Sequence, residues 1–212
     1  MAAYEHAYLW QKGKDERENN YTLAEESVMT GTGPVFFGVI CDSDFRAKQM
    51  VGWFYDEVLP LVREHGLGAF VRNGFLRHFS GQKEQYSYGV VIVYGRRMFF
   101  ALRGNLEFVR ISGRGRVRII SERKEKRGLV LGMADSTMEK RSCGFAHLHR
   151  KETILLCNNN FADCFNFSEL STVFVGKKKV KIPDETKLQM LGRRAIGRGC
   201  RGSIAAITFS KK

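Results

Sequence analysis

The sequence predicts an α+β fold, a sandwich of two antiparallel β-sheets face to face with helices on the outside. Two observations predict it. From Ser87 onward, short apolar runs follow one another with only brief polar turns between them, the signature of antiparallel strands joined by hairpins. Two helices are expected before that series and one near the end, so helices and strands do not alternate as they would in a βαβ fold.

Each element has its own local reason. Tyr4 to Gln11 reads as a first strand, Gly13 to Asn20 as a polar loop, and Gly31-Thr32-Gly33-Pro34 as a turn. Val35 to Cys41 is continuously apolar, as a strand buried on both faces must be. Ala47, Met50, Val51, Phe54, Val58, Leu61 and Val62 then recur at helical spacing. Pro60 predicts a bend in that helix and Gly66 its end. A second helix is expected over Leu67 to Phe79, with Phe70, Phe75, Leu76 and Phe79 inward.

Strands are expected over Ser87 to Tyr94, Arg96 to Arg103, Glu107 to Ser112, Arg116 to Ser121, Arg127 to Met133, Ser142 to His149 and Lys151 to Cys157. Gly95-Arg96 and Gly113-Arg114-Gly115 suit hairpin turns. Phe161 to Leu170 reads as a short helix or loop. Pro183 to Arg198 reads as a helix with proline at its start and Gly199 past its end, and Ser203 to Phe209 as a closing strand.

The chain has 212 residues, of which 43% are hydrophobic and 12% aromatic, enough for one core. With three prolines and no Pro/Ser-rich linker, residues 1–212 are expected to form a single domain. Lys and Arg number 35 against 22 Asp and Glu, a net charge of +13. That charge favours acidic partners, whether nucleic acid, a phosphorylated protein or an anionic surface, and is equally compatible with an ordinary basic protein. The five cysteines include no CxxC spacing, so a structural zinc site is not expected and the thiols read as reduced. No signal-peptide pattern opens the chain, and no run reaches the ~18 apolar residues of a membrane span. A cytoplasmic protein with no membrane partner is expected.

Four local sequences carry a resemblance. Val39-Ile40-Cys41-Asp42-Ser43-Asp44 resembles a strand ending in Asp-Gly-His-Gly. Arg96 to Ser112, with Gly104-Asn105-Leu106 at its turn, resembles a hairpin with a Gly-Asp-Ser turn. Ile154 to Asp163 resembles "ILLCSDGLTD", and Arg201 to Ala205 resembles "RDNIT". In this order they are similar to the metal-dependent serine/threonine protein phosphatases (the PPM, or type 2C, family), and Glu16 to Thr22 loosely resembles that family's early "R..NED" segment. The resemblance covers nearly the whole chain. It implies a four-layer α-β-β-α sandwich in which strand-end aspartates hold two Mg²⁺ or Mn²⁺ ions that activate water.

By the same resemblance, the acidic set is depleted here. Asp42 stands at the central bridging aspartate. Ser43 stands where a glycine carbonyl helps bind, and Asp44 at a histidine position, where it offers a further carboxylate. Tyr21 and Thr22 occupy the early acidic pair, Asn159 the aspartate of "SDG", and Gly202 the aspartate of "RDN". Paired dications need anionic oxygens, each close contact contributing roughly 4 kcal/mol at an effective dielectric of about 20. No cofactor is therefore expected beyond a weakly held single Mg²⁺ or Mn²⁺ at Asp42, for which a simple turn or cap role is the alternative. Arg17 loosely matches the family's phosphate-gripping arginine, and otherwise reads as a loop charge.

The expectation is a catalytically impaired phosphatase-like protein, a pseudophosphatase acting as a binding or regulatory module. Two other readings stay open. One is an active phosphatase using Asp42, Asp44 and Asp163 or Asp135. The other is a basic nucleic-acid-binding protein using Arg114, Arg116 and Arg118, with Arg110, Arg123, Lys124, Lys126 and Arg127 nearby. Three further patterns have bland readings. Gly197 to Gly202 fits GxGxxG but lies after a helix, the reverse of the dinucleotide context. His147 and His149 lack a converging third ligand. Lys177-Lys178-Lys179 reads as a charged turn.

Overall fold

The computed structural model describes residues 4–14, 21–31, 33–70, 87–120, 141–176 and 182–211. Arg17, residues 71–79 of the helix expected over Leu67 to Phe79, the strand expected over 127–133, the basic residues of 123–127, Asp135 and the Lys177 to Lys179 turn lie outside the described residues.

Among the described residues ten strands form two five-stranded sheets in which every pairing is antiparallel. The first sheet has the order β1-β10-β9-β6-β7, with β1 Tyr4–Gln11, β10 Ile204–Lys211, β9 Thr153–Asn158, β6 Leu106–Ile111 and β7 Val117–Ile119. The second has the order β2-β3-β4-β5-β8, with β2 Thr22–Thr30, β3 Gly33–Cys41, β4 Tyr88–Tyr94, β5 Arg97–Arg103 and β8 Arg141–His147.

Side chains of successive strand residues point to opposite faces, and three apolar layers result. Phe36, Ile40, Val91 and Val93 pack between the sheets against Phe108, Leu156 and Ile207. Their neighbours Val35, Phe37, Val39, Val90 and Ile92 pack outward on the helical segment that follows β3. Leu155 and Cys157 of β9 pack on the opposite helical layer with Leu188, Leu191 and Ala195. Burial on both faces is why β3, β4 and β9 read as unbroken apolar runs. The expected α-β-β-α order of layers is the one found.

The helix after β3 is one continuous segment of three parts: α1 Asp44–Trp53, a π-helical stretch Phe54–Val58, and α2 Leu59–Phe70. Pro60 brings no N–H, so the ordinary bond to the carbonyl four residues back cannot form. The chain widens instead, and the Leu59 N–H bonds the Phe54 carbonyl. Gly66 does not end the helix, which runs to Phe70.

Strand β2 is absent from the sequence-based reading. Its segment, Thr-Leu-Ala-Glu-Glu-Ser-Val-Met-Thr, has no clean alternation because it is a half-buried edge strand. Phe161 to Leu170 resolves into α3 Asn159–Ala162 and the start of α4 Phe167–Val175. The helix expected from Pro183 is α5 Asp184–Gly197. Among the described residues no helix is long and apolar enough to cross a membrane.

Candidate functional site

Strands from both sheets end together at one end of the sandwich. Strand β3 delivers Asp42, β9 delivers Asn158 into α3, and Tyr21 and Ser203 stand just before β2 and β10. Gly104 and Asn105 come from the β5–β6 connection, which crosses from one sheet to the other and is not the hairpin expected over Arg96 to Ser112.

Asp42 is fixed by reciprocal bonds to Ser87: its backbone N–H donates to the Ser87 carbonyl at 3.1 Å, and the Ser87 N–H donates to its carboxylate at 2.6 Å. Gly104 turns the β5–β6 crossover against this pair with φ +79°; a Cβ there would stand 2.2 Å from Ser87 Oγ. Ser43 caps α1, its Oγ accepting from the Arg46 N–H at 3.4 Å and its carbonyl from Ala47 at 2.9 Å. Asp44 lies in the exposed first turn of α1 and pairs with Lys48 at 2.8 Å. The chain therefore directs Asp42 inward at the strand end, while Asp44 serves a helical ion pair on the surface.

The neutral residues make a connected network. Tyr21 is buried; its N–H donates to Ser203 Oγ at 2.7 Å, its hydroxyl donates to the Asn105 carbonyl at 3.4 Å, and its carbonyl accepts from Trp10 Nε1 at 2.8 Å. Burial raises the Tyr21 phenol above its ordinary value, opposed by a hydrogen bond with Ser87 and reinforced by the nearby Asp42 charge. Asn158 is fully buried and donates to the Ser203 carbonyl at 2.7 Å, while its Oδ1 accepts from Ala205 at 3.1 Å and Phe161 at 3.4 Å. Asn160 also donates to the Ser203 carbonyl, at 3.1 Å. Asn159 bonds the Asn105 carbonyl through its N–H, and its buried Oδ1 has no hydrogen-bond partner.

Sequence reasoning drew attention to the three asparagines but missed Ser203, whose carbonyl accepts from Asn158 and Asn160, and Ser87, which holds Asp42. A buried Arg103 at the end of β5 was also missed; buried guanidinium groups are uncommon and require partners. Cys41, next to Asp42, is a buried thiol pushed up to about 12, chiefly by that burial.

Among the described residues no group of three or more His, Cys, Asp or Glu side chains stands in metal-binding array. Asp42, with one oxygen committed to Ser87, and the unpartnered amide oxygen of Asn159 are the donors the strand ends offer. A pair of hard cations needs several oxygen ligands, anionic ones above all, and these two side chains supply one carboxylate and one neutral amide oxygen. His147 and His149 lie away from these strand ends, at the far end of β8 and in the turn after it.

No protein-family model matches this chain, and no curated protein matches it. Solved structures do match over its whole length. The serine/threonine phosphatase Stp1 from Staphylococcus aureus superposes with a TM-score of 0.65 at 14% identity, covering 99% of this chain and 96% of that one. PppA, described as a key regulatory component of the type VI secretion system in Pseudomonas aeruginosa, gives 0.62 at 18%, covering 99% and 98%. The catalytic domain of the serine/threonine protein phosphatase PstP, in complex with two manganese ions, gives 0.62 at 8%, covering 100% and 99%. At these identities the likeness is one of fold: the chain has the PPM phosphatase-type sandwich.

The expectation of no cofactor is corrected by this comparison, because the same fold holds two manganese ions in PstP. The physical reason is that counting carboxylate side chains ignores backbone carbonyls and water, which also serve as oxygen ligands for hard cations.

Proposed function

We propose that this chain is a phosphatase-fold protein with impaired hydrolysis, a pseudophosphatase that engages a phosphorylated protein partner as a binding or regulatory module. One observation supports it above the rest: among the described residues the strand-end site offers a single inward carboxylate, Asp42, and one of its oxygens is already bonded to Ser87. A manganese or magnesium ion is expected at Asp42, with the Asn159 amide oxygen beside it. Arg17 is proposed to grip the partner's phosphate, and the basic charge of the chain favours such a partner. The free thiols of Cys41, Cys157, Cys164 and Cys200 suit a reducing compartment such as the cytoplasm.

Manganese-dependent hydrolysis of p-nitrophenyl phosphate is expected to stay at background. Robust turnover abolished by Asp42→Ala would overturn the proposal. Calorimetry with Mn²⁺ is expected to show one weak site that disappears in Asp42→Ala. Two tight sites would favour a second reading, an active phosphatase with a rearranged centre drawing on Asp42, Asp44 and Asp163 or Asp135. The manganese-bound structure of the same fold is what favours that reading.

A further inference from the structure

At the opposite end of the sandwich, four arginines share one concavity. Strand β6 runs from beside Asn105 to Arg110, about 17 Å at ~3.4 Å per residue. There Arg110 stands directly across from Arg118 of the edge strand β7. Together with Arg114 and Arg116 they line a cavity of about 460 Å³ that also includes His149.

Like charges directly opposite one another destabilise an antiparallel pair, and the described structure compensates only part of this set. Glu152 accepts from Arg110 at 2.5 Å and from the His149 N–H at 3.0 Å, so the one carboxylate in the cavity is committed to Arg110. Among the described residues Arg114, Arg116 and Arg118 have no carboxylate partner, and the Nε of Arg110 is buried without an acceptor.

The turn carrying two of these arginines is held firmly. Ser112 N–H donates to the Arg116 carbonyl at 2.9 Å, Gly115 N–H to the Ser112 carbonyl at 2.8 Å, and Arg116 N–H to Ser112 Oγ at 3.0 Å. A Cβ on Gly113 would meet Lys151 at 2.8 Å, and one on Gly115 would meet Ser171 Oγ at 2.6 Å. The turn is wedged between the segment leading into β9 and α4, so the arginines are presented by a preorganised loop, which lowers the ordering cost of binding.

We infer that this cavity is a binding site for a compact oligophosphate anion, separate from the strand-end site around Asp42. Every described side chain lining it is polar or charged and none is Phe, Tyr or Trp, so it offers neither an apolar pocket for the residues flanking a phosphopeptide nor a large aromatic platform for a base. Guanidinium forks match phosphate oxygens in bidentate geometry. Several phosphates on one small ligand balance three unneutralised arginines better than a single phosphate does.

Calorimetry of the full chain with inorganic tripolyphosphate, in metal-free buffer, tests this. One saturable site per chain is expected, with affinity falling as salt rises. Arg116→Gln and Arg118→Gln are each expected to weaken it about tenfold, while Arg193→Gln on the exposed face of α5 and Asp42→Ala leave it unchanged. ATP is expected to bind no more tightly than tripolyphosphate. Tripolyphosphate is expected to raise the melting temperature, and Arg118→Gln to remove that rise while stabilising the anion-free protein by relieving its cross-strand repulsion. The inference is overturned by absence of saturable binding, by equal losses in Arg193→Gln, by loss of binding in Asp42→Ala, or by tighter binding of a phosphoserine peptide or single-stranded RNA.

Discussion

Asn159 and its neighbour Asn158 show how differently two adjacent amides are used. Asn158 has both ends of its side chain committed, to backbone groups of Ser203, β10 and α3, whereas the Oδ1 of Asn159 is buried without a donor. A carboxylate at position 159 would add a full charge where a neutral oxygen now stands. Asn159→Asp is therefore expected to tighten Mn²⁺ binding at least tenfold, since a close opposite-charge contact contributes roughly 4 kcal/mol at an effective dielectric of about 20. Calorimetric titration of the variant against wild type checks it, and unchanged affinity would remove Asn159 from the proposed cation site. Gly104 makes a second residue-scale prediction. Its φ is +79°, and only 2.2 Å would separate an added Cβ from Ser87 Oγ. Gly104→Ala should therefore cost about 1–3 kcal/mol of stability in urea denaturation. It should also disturb Asp42 through Ser87.

At the scale of elements, α4 shows a complete capping box: Asn166 Oδ1 accepts the Glu169 N–H at 2.9 Å and Glu169 returns a bond to the Asn166 N–H at 3.1 Å. Asn166→Ala should cost about 1 kcal/mol, read by thermal unfolding. Glu169 also pairs with Arg198 just past α5, and that bond, with the bond from Asn166, holds its carboxyl down to about 2 against an ordinary value of 4.5. A depressed carboxyl contributes stability that is present above the unfolded value and lost as pH falls through the folded one. The link between α4 and the end of α5 is thus expected to weaken between about pH 4.5 and 2. Acid titration of the melting temperature should show a shallower decline in Glu169→Gln, and coincident curves would discount the pair. The same elements show what local sequence can reveal. The box is readable from Asn166 and Glu169 three apart, whereas the π-helical stretch before Pro60 is not, because a bend and a widened turn both relieve the missing N–H.

For the whole molecule, stability rests on the layer between the sheets. Phe108 is fully buried there and stacks on Phe100 with ring centroids 4.5 Å apart. Phe108→Ala should cost about 3–5 kcal/mol, a large fraction of the roughly 5–15 kcal/mol typical of a domain. Cooperative unfolding followed by circular dichroism checks it; a loss under about 1 kcal/mol would mean the sheets do not depend on this contact. The two candidate sites lie at opposite ends of this layer, so the variants at Asp42 and at Arg118 are expected to act independently.

The sequence by itself determined the layers. Apolar runs buried on both faces, hairpin turns and helical spacing are local patterns, and burial periodicity converts them directly into strands, helices and a sandwich. It also located the strand ends near Asp42 and the asparagines. The tertiary structure alone decided what those ends touch. Tyr21 meets Ser203 across 182 residues, and the Glu-containing β2 is a strand only because β3 lies beside it. The outward turn of Asp44 follows from the Ser43 cap, and the Arg110–Arg118 pair from the register of β6 on β7. Such convergence depends on sheet order and register, which arise from the packing of distant segments and leave no periodic trace along the chain.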